Sequence, residues 1–265
     1  MNDITVGQYY PVDSPMHRLD PRTKLKGVFL YVMGLFFVNN LYGYGIAFIL
    51  LCVCVACSKV PISYVLRSLK PILMVIVFTS IINLVWTQGN VVWQMGFIKI
   101  TDSGISLAAN MAARLVLIIT GSSLLTLTTT TVALTDGIEM LLRKVPLLSK
   151  VSHEIGMMMS IALSFIPTLT EELDRIVKAQ KSRGADFESG NIAARAKAMI
   201  PILVPLFVSA IQRASELAMA MESRCYTGGT NRTRMKELKY RPADHLSMTC
   251  LVAALAACYF TKALV

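Results

Sequence analysis

Long uncharged apolar blocks separated by short polar connections dominate the chain. No charged residue occurs from Gly27 to Ser58, and the pair Asn39-Asn40 divides that stretch into segments 27–38 and 42–57. Three further apolar segments occupy 71–86, 105–127 and 246–260. A helix needs about 20 apolar residues to cross a bilayer, fewer where neighbours or local thinning help. The pattern predicts five membrane helices, the first the shortest.

Block 129–245 reads differently. Stretches 153–169 and 199–210 are strongly apolar, but each runs on into an amphipathic pattern. Ile166, Leu169, Leu173, Ile176 and Val177 follow helical spacing, and Glu171, Glu172, Asp174, Arg175 and Lys178 occupy the other face. In the second stretch Ala210, Ala214, Leu217 and Met221 form one stripe, with Arg213, Glu216 and Glu222 off it. Pro167, Pro201 and Pro205 are expected to start or kink these helices. An ordinary buried core would leave the block soluble when cut from the spans. The pattern instead predicts long kinked helices at the cytoplasmic membrane surface. The expected fold is all-α and polytopic, with segments 1–26, 27–128, 129–245 and 246–265.

Charge orients this arrangement. Arg18, Arg22, Lys24 and Lys26 precede the first segment, and Lys59, Arg67 and Lys70 follow the second. Only Lys99 and Asp102 follow the third, whereas the block after the fourth carries sixteen basic residues. Lys and Arg collect on cytoplasmic loops. The N-terminus and the large block are therefore expected inside, in a prokaryotic cell membrane. Trp86 and Trp93 fall at the outer boundary of the third segment, where amphipathic rings settle. No apolar core followed by a small-residue cleavage site opens the chain, so no cleavable signal peptide is expected.

Composition agrees: 54% of the 265 residues are hydrophobic and 16% charged, against about 45–50% and 25% in soluble domains. The net charge of +10 raises nucleic acid as a partner. Basic residues of 129–245 are mixed with twelve acidic ones, and no aromatic-interleaved motif appears, so no nucleic acid is expected.

Candidate chemistry is sparse. Five of six cysteines (Cys52, Cys54, Cys57, Cys250 and Cys258, but not Cys225) lie in apolar segments, where Cys behaves as a small hydrophobe. His17, His153 and His245 are far apart, and Glu171-Glu172 point about 100° apart on a helix. No His-Glu-x-x-His pattern and no Gly-x-x-x-x-Gly-Lys loop occurs. A membrane enzyme is thereby disfavoured, and the expected catalytic, metal and cofactor sets of this chain are empty. A secondary transporter would show internal repeats and intramembrane ionisable groups. The exception is Arg114 inside the fourth segment, where a charge costs roughly 2.5–3.5 kcal/mol. With no intramembrane Asp or Glu beside it, it is expected to be a structural tie rather than a pathway residue.

The two amphipathic stretches end alike, in Ser182-Arg183-Gly184 and Ser223-Arg224-Cys225. Arg suits the negative end of a helix dipole, and its planar fork can bond a partner's carboxylates or carbonyls. Two matching ends suggest a paired docking surface. An ordinary ABC importer permease would have one short coupling helix.

These residues carry a resemblance. The chain resembles the transmembrane T-component (EcfT) of energy-coupling factor transporters over nearly its whole length. The resemblance runs through Ser14-Pro15-Met16-His17-Arg18-Leu19-Asp20-Pro21-Arg22-Thr23-Lys24, Leu124-Leu125-Thr126-Leu127-Thr128-Thr129-Thr130 and Phe165-Ile166-Pro167-Thr168-Leu169. It takes in both Arg-bearing ends and closes with Gly228-Gly229-Thr230-Asn231-Arg232-Thr233.

It implies an L-shaped helical protein whose cytoplasmic coupling domain docks, through Arg183 and Arg224, on two ABC-type ATPase subunits (EcfA and EcfA'). Those partners would bind ATP and Mg. It also implies a membrane-embedded substrate-binding S-component for vitamins or metal ions. Leu169, Leu173, Ile176, Ala210, Ala214, Leu217 and Met221 are the expected contacts to it. This sequence has Ser for the family's Ala twice and Cys225 for Gly. Cys225 makes a left-handed cap less easy there.

Overall fold

A computed structural model of the chain describes residues 9–38, 40–88, 91–95, 98–143, 145–146, 151–185, 187, 191–226 and 238–263. Motif 228–233, Asn39, Asp186, Thr227 and the side chains of Trp93 and Lys99 lie outside the described residues. The helices are α1 (Pro21–Phe37), α2 (Leu41–Ser58), α3 (Ile62–Trp86), α4 (Asp102–Thr128), α5 (Thr131–Leu142), α6 (Ser152–Ser182), α7 (Ile192–Ser223) and α8 (Pro242–Ala263). A short antiparallel hairpin, β1 (Val91–Met95) and β2 (Ile98–Thr101), joins α3 to α4. The sequence pattern did not predict it.

The chain divides into two compact units, residues 1–141 with 236–265 and residues 142–235. The divisions fall at Leu142 and Lys236, not at 129 and 245. Packing explains the first shift. A Cβ on Gly137 would sit 3.1 Å from Pro21 and 3.2 Å from Leu25, so α5 rests directly on the start of α1.

In the first unit, contacts fix the directions of α1, α2, α4 and α8. Lys24 reaches Thr128, Tyr31 lies on Gly121 and Arg114 reaches Val38, so α1 and α4 are antiparallel. Asp20 meets Asp244 and Gly34 meets Leu255, so α1 and α8 run together. Asn40 reaches Thr261 and Gly43 faces Cys258, so α2 opposes α8. Helices α3 and α4 pack closely at Gly104, where a Cβ would stand 3.1 Å from the Leu84 carbonyl and 3.2 Å from the Asn83 carbonyl. Thr101 caps α4 by accepting from the Gly104 amide. Close approach at small residues is how helices pack where lipid supplies no hydrophobic drive.

The buried core is small. Tyr31, Leu35, Val38, Tyr44, Ala47, Leu51, Leu117 and Cys258 fill the space between α1, α2, α4 and α8, with Val60, Val65 and Leu127 forming a satellite. Against this, Trp86 is 82% exposed, Met74 81% and Phe78 63%. Burying such side chains is worth about 1.5–3 kcal/mol each in water. A chain leaving dozens of them open is built for lipid.

Helices α3, α4, α7 (over Arg195–Ser223) and α8 (over Pro242–Thr261) are long and apolar enough to cross a membrane, and Tyr42–Ser58 is a shorter apolar helix. Three of the five expected spans therefore meet that standard outright. Helix α1 does not: it has only 17 residues, and its first turns hold Arg22, Lys24 and Lys26. Helix α7 meets it although the sequence pattern placed it at the surface. Pro167, Pro201 and Pro205 all lie inside unbroken helices rather than at helix starts.

Candidate functional site

The predicted docking residues stand at the C-terminal ends of α6 and α7. Arg183 is the last residue before the chain turns, and Gly184 adopts φ +84°. The Gly184 amide donates to Lys181 O at 3.0 Å and the Ala185 amide to Gln180 O at 3.0 Å. This pair of bonds is a Schellman cap, which satisfies helix-end carbonyls.

Helix α7 ends in the same way. Cys225 donates to Glu222 O at 2.9 Å and Tyr226 to Met221 O at 3.1 Å, with Cys225 at φ 55°. Cys225 stands where Gly was expected, and its backbone takes the left-handed conformation a Gly would favour. A side chain in this region costs roughly 1–2 kcal/mol.

Both caps present their residues outward: Ser182, Arg183, Gly184, Ser223, Arg224 and Cys225 are all exposed. An open groove of about 550 Å³, lined by Ala218, Met221, Glu222, Cys225 and Tyr226, lies beside the second tip.

Helices α6 and α7 run antiparallel. Gln180 Nε2 donates to Pro201 O at 3.5 Å, the Arg213 guanidinium lies 3.6 Å from Glu172, and Tyr226 Oη donates to Met157 Sδ at 3.0 Å. The Arg224 end therefore lies beside Met157, 26 residues along α6 from Arg183. That is roughly 40 Å of helix. The two arginines occupy opposite ends of one rod pair, not a single patch.

Of the expected apolar contacts, Leu169, Leu173, Ile176, Ala210, Leu217 and Met221 are half-buried and Ala214 is exposed. A more open stripe was not singled out from the sequence: Met199, Leu203, Phe207 and Ile211 are 50–67% exposed. Their spacing of four residues was the signal that marks one helix face.

Sequence reasoning also missed what the N-terminal motif does. Asp20 caps α1 by accepting from the Arg22 amide at 2.9 Å. Its carboxylate takes both Arg22 Nε (3.0 Å) and Arg22 Nη2 (2.7 Å), and its own amide donates to Asp244 Oδ1 at 2.8 Å. Arg22 Nη2 also donates to Leu238 O at 2.7 Å, and the guanidinium lies 4.2 Å from the centre of the Tyr240 ring. Lys24 Nζ donates to Thr128 O at 2.8 Å and Thr129 Oγ1 at 3.2 Å. Asp20, Arg22, Lys24, Thr128, Thr129 and Asp244 are all buried. The sequence signal was an Asp-Pro helix start followed at once by three cations, Arg22, Lys24 and Lys26, ahead of an uncharged run.

Titration follows from these surroundings. Burial pushes the Asp20 carboxyl up, but bonds from the Arg22 side chain and amide outweigh it and leave the group below its ordinary value. The Asp20 bond holds Arg22 above its ordinary value. Lys24 is pushed down to about 8 by burial, only partly offset by Asp244 and Asp20. Burial also lowers His17. The carbonyl of Tyr10 can only accept, so His17 carries its proton on Nε2 and takes the Ser14 hydroxyl at Nδ1, 2.7 Å away.

Arg114 Nη2 donates to Val38 O at 2.8 Å, the residue that ends α1, and its guanidinium lies 5.9 Å from the Phe36 ring. A cation there meets the negative end of the α1 dipole and ties α4 to α1. Among the described residues, no three of His, Cys, Asp or Glu are grouped to hold a metal ion.

Comparison with known proteins bears on these tips. The CbiQ family, described as cobalt transport protein, matches residues 13–235. A relative from Ruminiclostridium cellulolyticum is 51% identical over 93% of this chain and 92% of its own length. One from Acidaminococcus fermentans is 51% identical over 96% and 94%. One from Bacillus subtilis is 42% identical over 99% and 100%. Each is named energy-coupling factor transporter transmembrane protein EcfT.

Proposed function

The chain belongs to the CbiQ family, among the energy-coupling factor transporter transmembrane proteins, and from that premise we propose that it is the non-catalytic part that couples partner ATPases to a substrate carrier. Arg183 and Arg224 each enter a groove on one of two ABC-type ATPase subunits. ATP and Mg are held by those subunits. The N-terminus and the second unit face the cytoplasm. ATP-driven closure moves the helix tips, and α6 and α7 carry the motion to a membrane-embedded S-component for a vitamin or metal ion.

The observation that carries this reading is the pair of identically capped, exposed arginine tips at opposite ends of an antiparallel helix pair. A span of roughly 40 Å fits two separate subunits better than one. The Schellman caps hold each guanidinium's backbone still, so little ordering entropy is lost on docking. For the S-component, the apolar stripe of Met199, Leu203, Phe207 and Ile211 extends the contact surface expected around Ala210, Ala214, Leu217 and Met221. Leu169, Leu173 and Ile176 of α6 support it from the facing helix.

The test is purification from membranes with identification of every associated chain. Arg183→Ala and Arg224→Ala should each weaken one ATPase contact, and the double variant should lose both ATPases and its share of ATP hydrolysis. Full ATPase association in the double variant would overturn the assignment.

A further inference from the structure

We infer that the buried Asp20–Arg22–Lys24 knot is the clamp through which motion of the second unit enters the first, making Arg22 and Lys24 positioning residues for transport. The inference rests on the reading of α6 and α7 as ATPase-docking helices.

The covalent path decides where motion can pass. The chain leaves the first unit at Leu141 and returns to it at Lys236, so two connections join the units. Both are fastened to the same few residues at the start of α1. On the outgoing side, Lys24 holds Thr128 O and Thr129 Oγ1 at the joint between α4 and α5. Beyond that joint, α5 rests on Pro21 and Leu25 through Gly137. On the returning side, Arg22 takes Leu238 O and stacks on Tyr240, and the Asp20 amide binds Asp244 at the start of α8.

A displaced connection passes on motion only if its end is held stiffly. Buried, fully bonded charged networks are stiff, since leaving any member unpaired in a low-dielectric site is costly. The Arg22 fork is fixed by a carboxylate, a carbonyl and a ring at once. Helices α4, α1 and α8, three of the four that enclose the core of the first unit, all begin or end at this knot. A push on either connection is thereby delivered to three helices together rather than absorbed by one loose loop.

Hydrogen-exchange mass spectrometry on the intact complex, nucleotide-free against ADP-vanadate-trapped, tests the clamp. In the wild-type complex, trapping should change exchange in α6 and α7 and also in α1, α4 and α8. In Arg22→Ala or Lys24→Met the change in α6 and α7 should persist. That in α1, α4 and α8 should shrink about fivefold or more, the lower end of a typical coupling between sites. Lys24→Gln, which keeps an N–H donor for the Thr128 carbonyl, should recover part of it. Simple destabilisation raises exchange in both states and leaves their difference, so it is told apart.

A trapping response in α1, α4 and α8 that survives Arg22→Ala and Lys24→Met overturns the clamp. If those variants do not assemble, Tyr240→Leu, which removes the 38% exposed ring lying over Arg22 and leaves the Asp20 and Leu238 bonds of Arg22 in place, carries the test with the same two outcomes. Failure of the docking reading shows separately, as no trapping response in wild-type α6 and α7.

Discussion

Arg22 and Arg183 carry the same guanidinium at the ends of helices, yet one is sealed and the other open. Arg22 sits in the first turn of α1, where the helix dipole is positive and repels a cation. It is accepted there because Asp20 takes two of its N–H groups, Leu238 takes another and Tyr240 covers its face. Arg183 and Arg224 sit at negative helix ends, where the dipole favours a cation without help. Both lie exposed. A helix start forces a cation to be paired within the fold, whereas a helix end leaves it free for something outside.

The sharpest break of that contrast is stability. Arg22→Ala leaves the Asp20 carboxylate buried without its partner and should cost about 3–5 kcal/mol, read as unfolding of the purified protein in detergent. Arg183→Ala and Arg224→Ala should each stay within about 0.5 kcal/mol in the same assay. Equal losses at all three would erase the distinction.

A pH series separates the sealed cations further. Lys24 titrates near 8 in the folded chain and near 10.5 unfolded. Below pH 8 both states hold the proton, and between 8 and 10.5 only the unfolded state does. Stability from this group therefore rises across that window, by up to about 3 kcal/mol, and Lys24→Met should remove the rise. Asp20 works in the opposite range. Its folded value lies below the ordinary 3.8, so its contribution is present above pH 3.8 and is lost as pH falls through the lower folded value. Asp20→Asn should flatten that acid limb.

The smallest effect compares the two tips with each other. Cys225→Gly should stabilise by about 1 kcal/mol by relieving the left-handed backbone, and Gly184→Cys should destabilise by about the same amount. A Cβ at Gly184 meets open space, so the cost there is backbone alone. Melting curves of the pair that move in the same direction would show that the two caps are not equivalent.

Much of this was legible in the chain. Apolar runs with no charge, or in α4 with Arg114 alone, marked α2, α3, α4 and α8, because lipid tolerates few charges and a helix of fixed rise needs a fixed length of apolar residues. The ends at Arg183 and Arg224 were legible as matching words. The left-handed turn at Cys225 was not, since it is held by bonds from Cys225 and Tyr226 back to Glu222 and Met221 that composition argues against. The hairpin β1–β2 escaped because two short strands carry little periodic signal.

Sequence alone therefore determined the membrane character, most of the helices and the position of the arginine tips, each a property of consecutive residues. The tertiary structure decided that α6 and α7 run antiparallel, putting those tips at opposite ends, and that residues 20–24, 128–129 and 238–244 form one buried knot. Hydrogen bonds and burial act between neighbours in space, and residues separated by a hundred positions become neighbours only when the chain has folded.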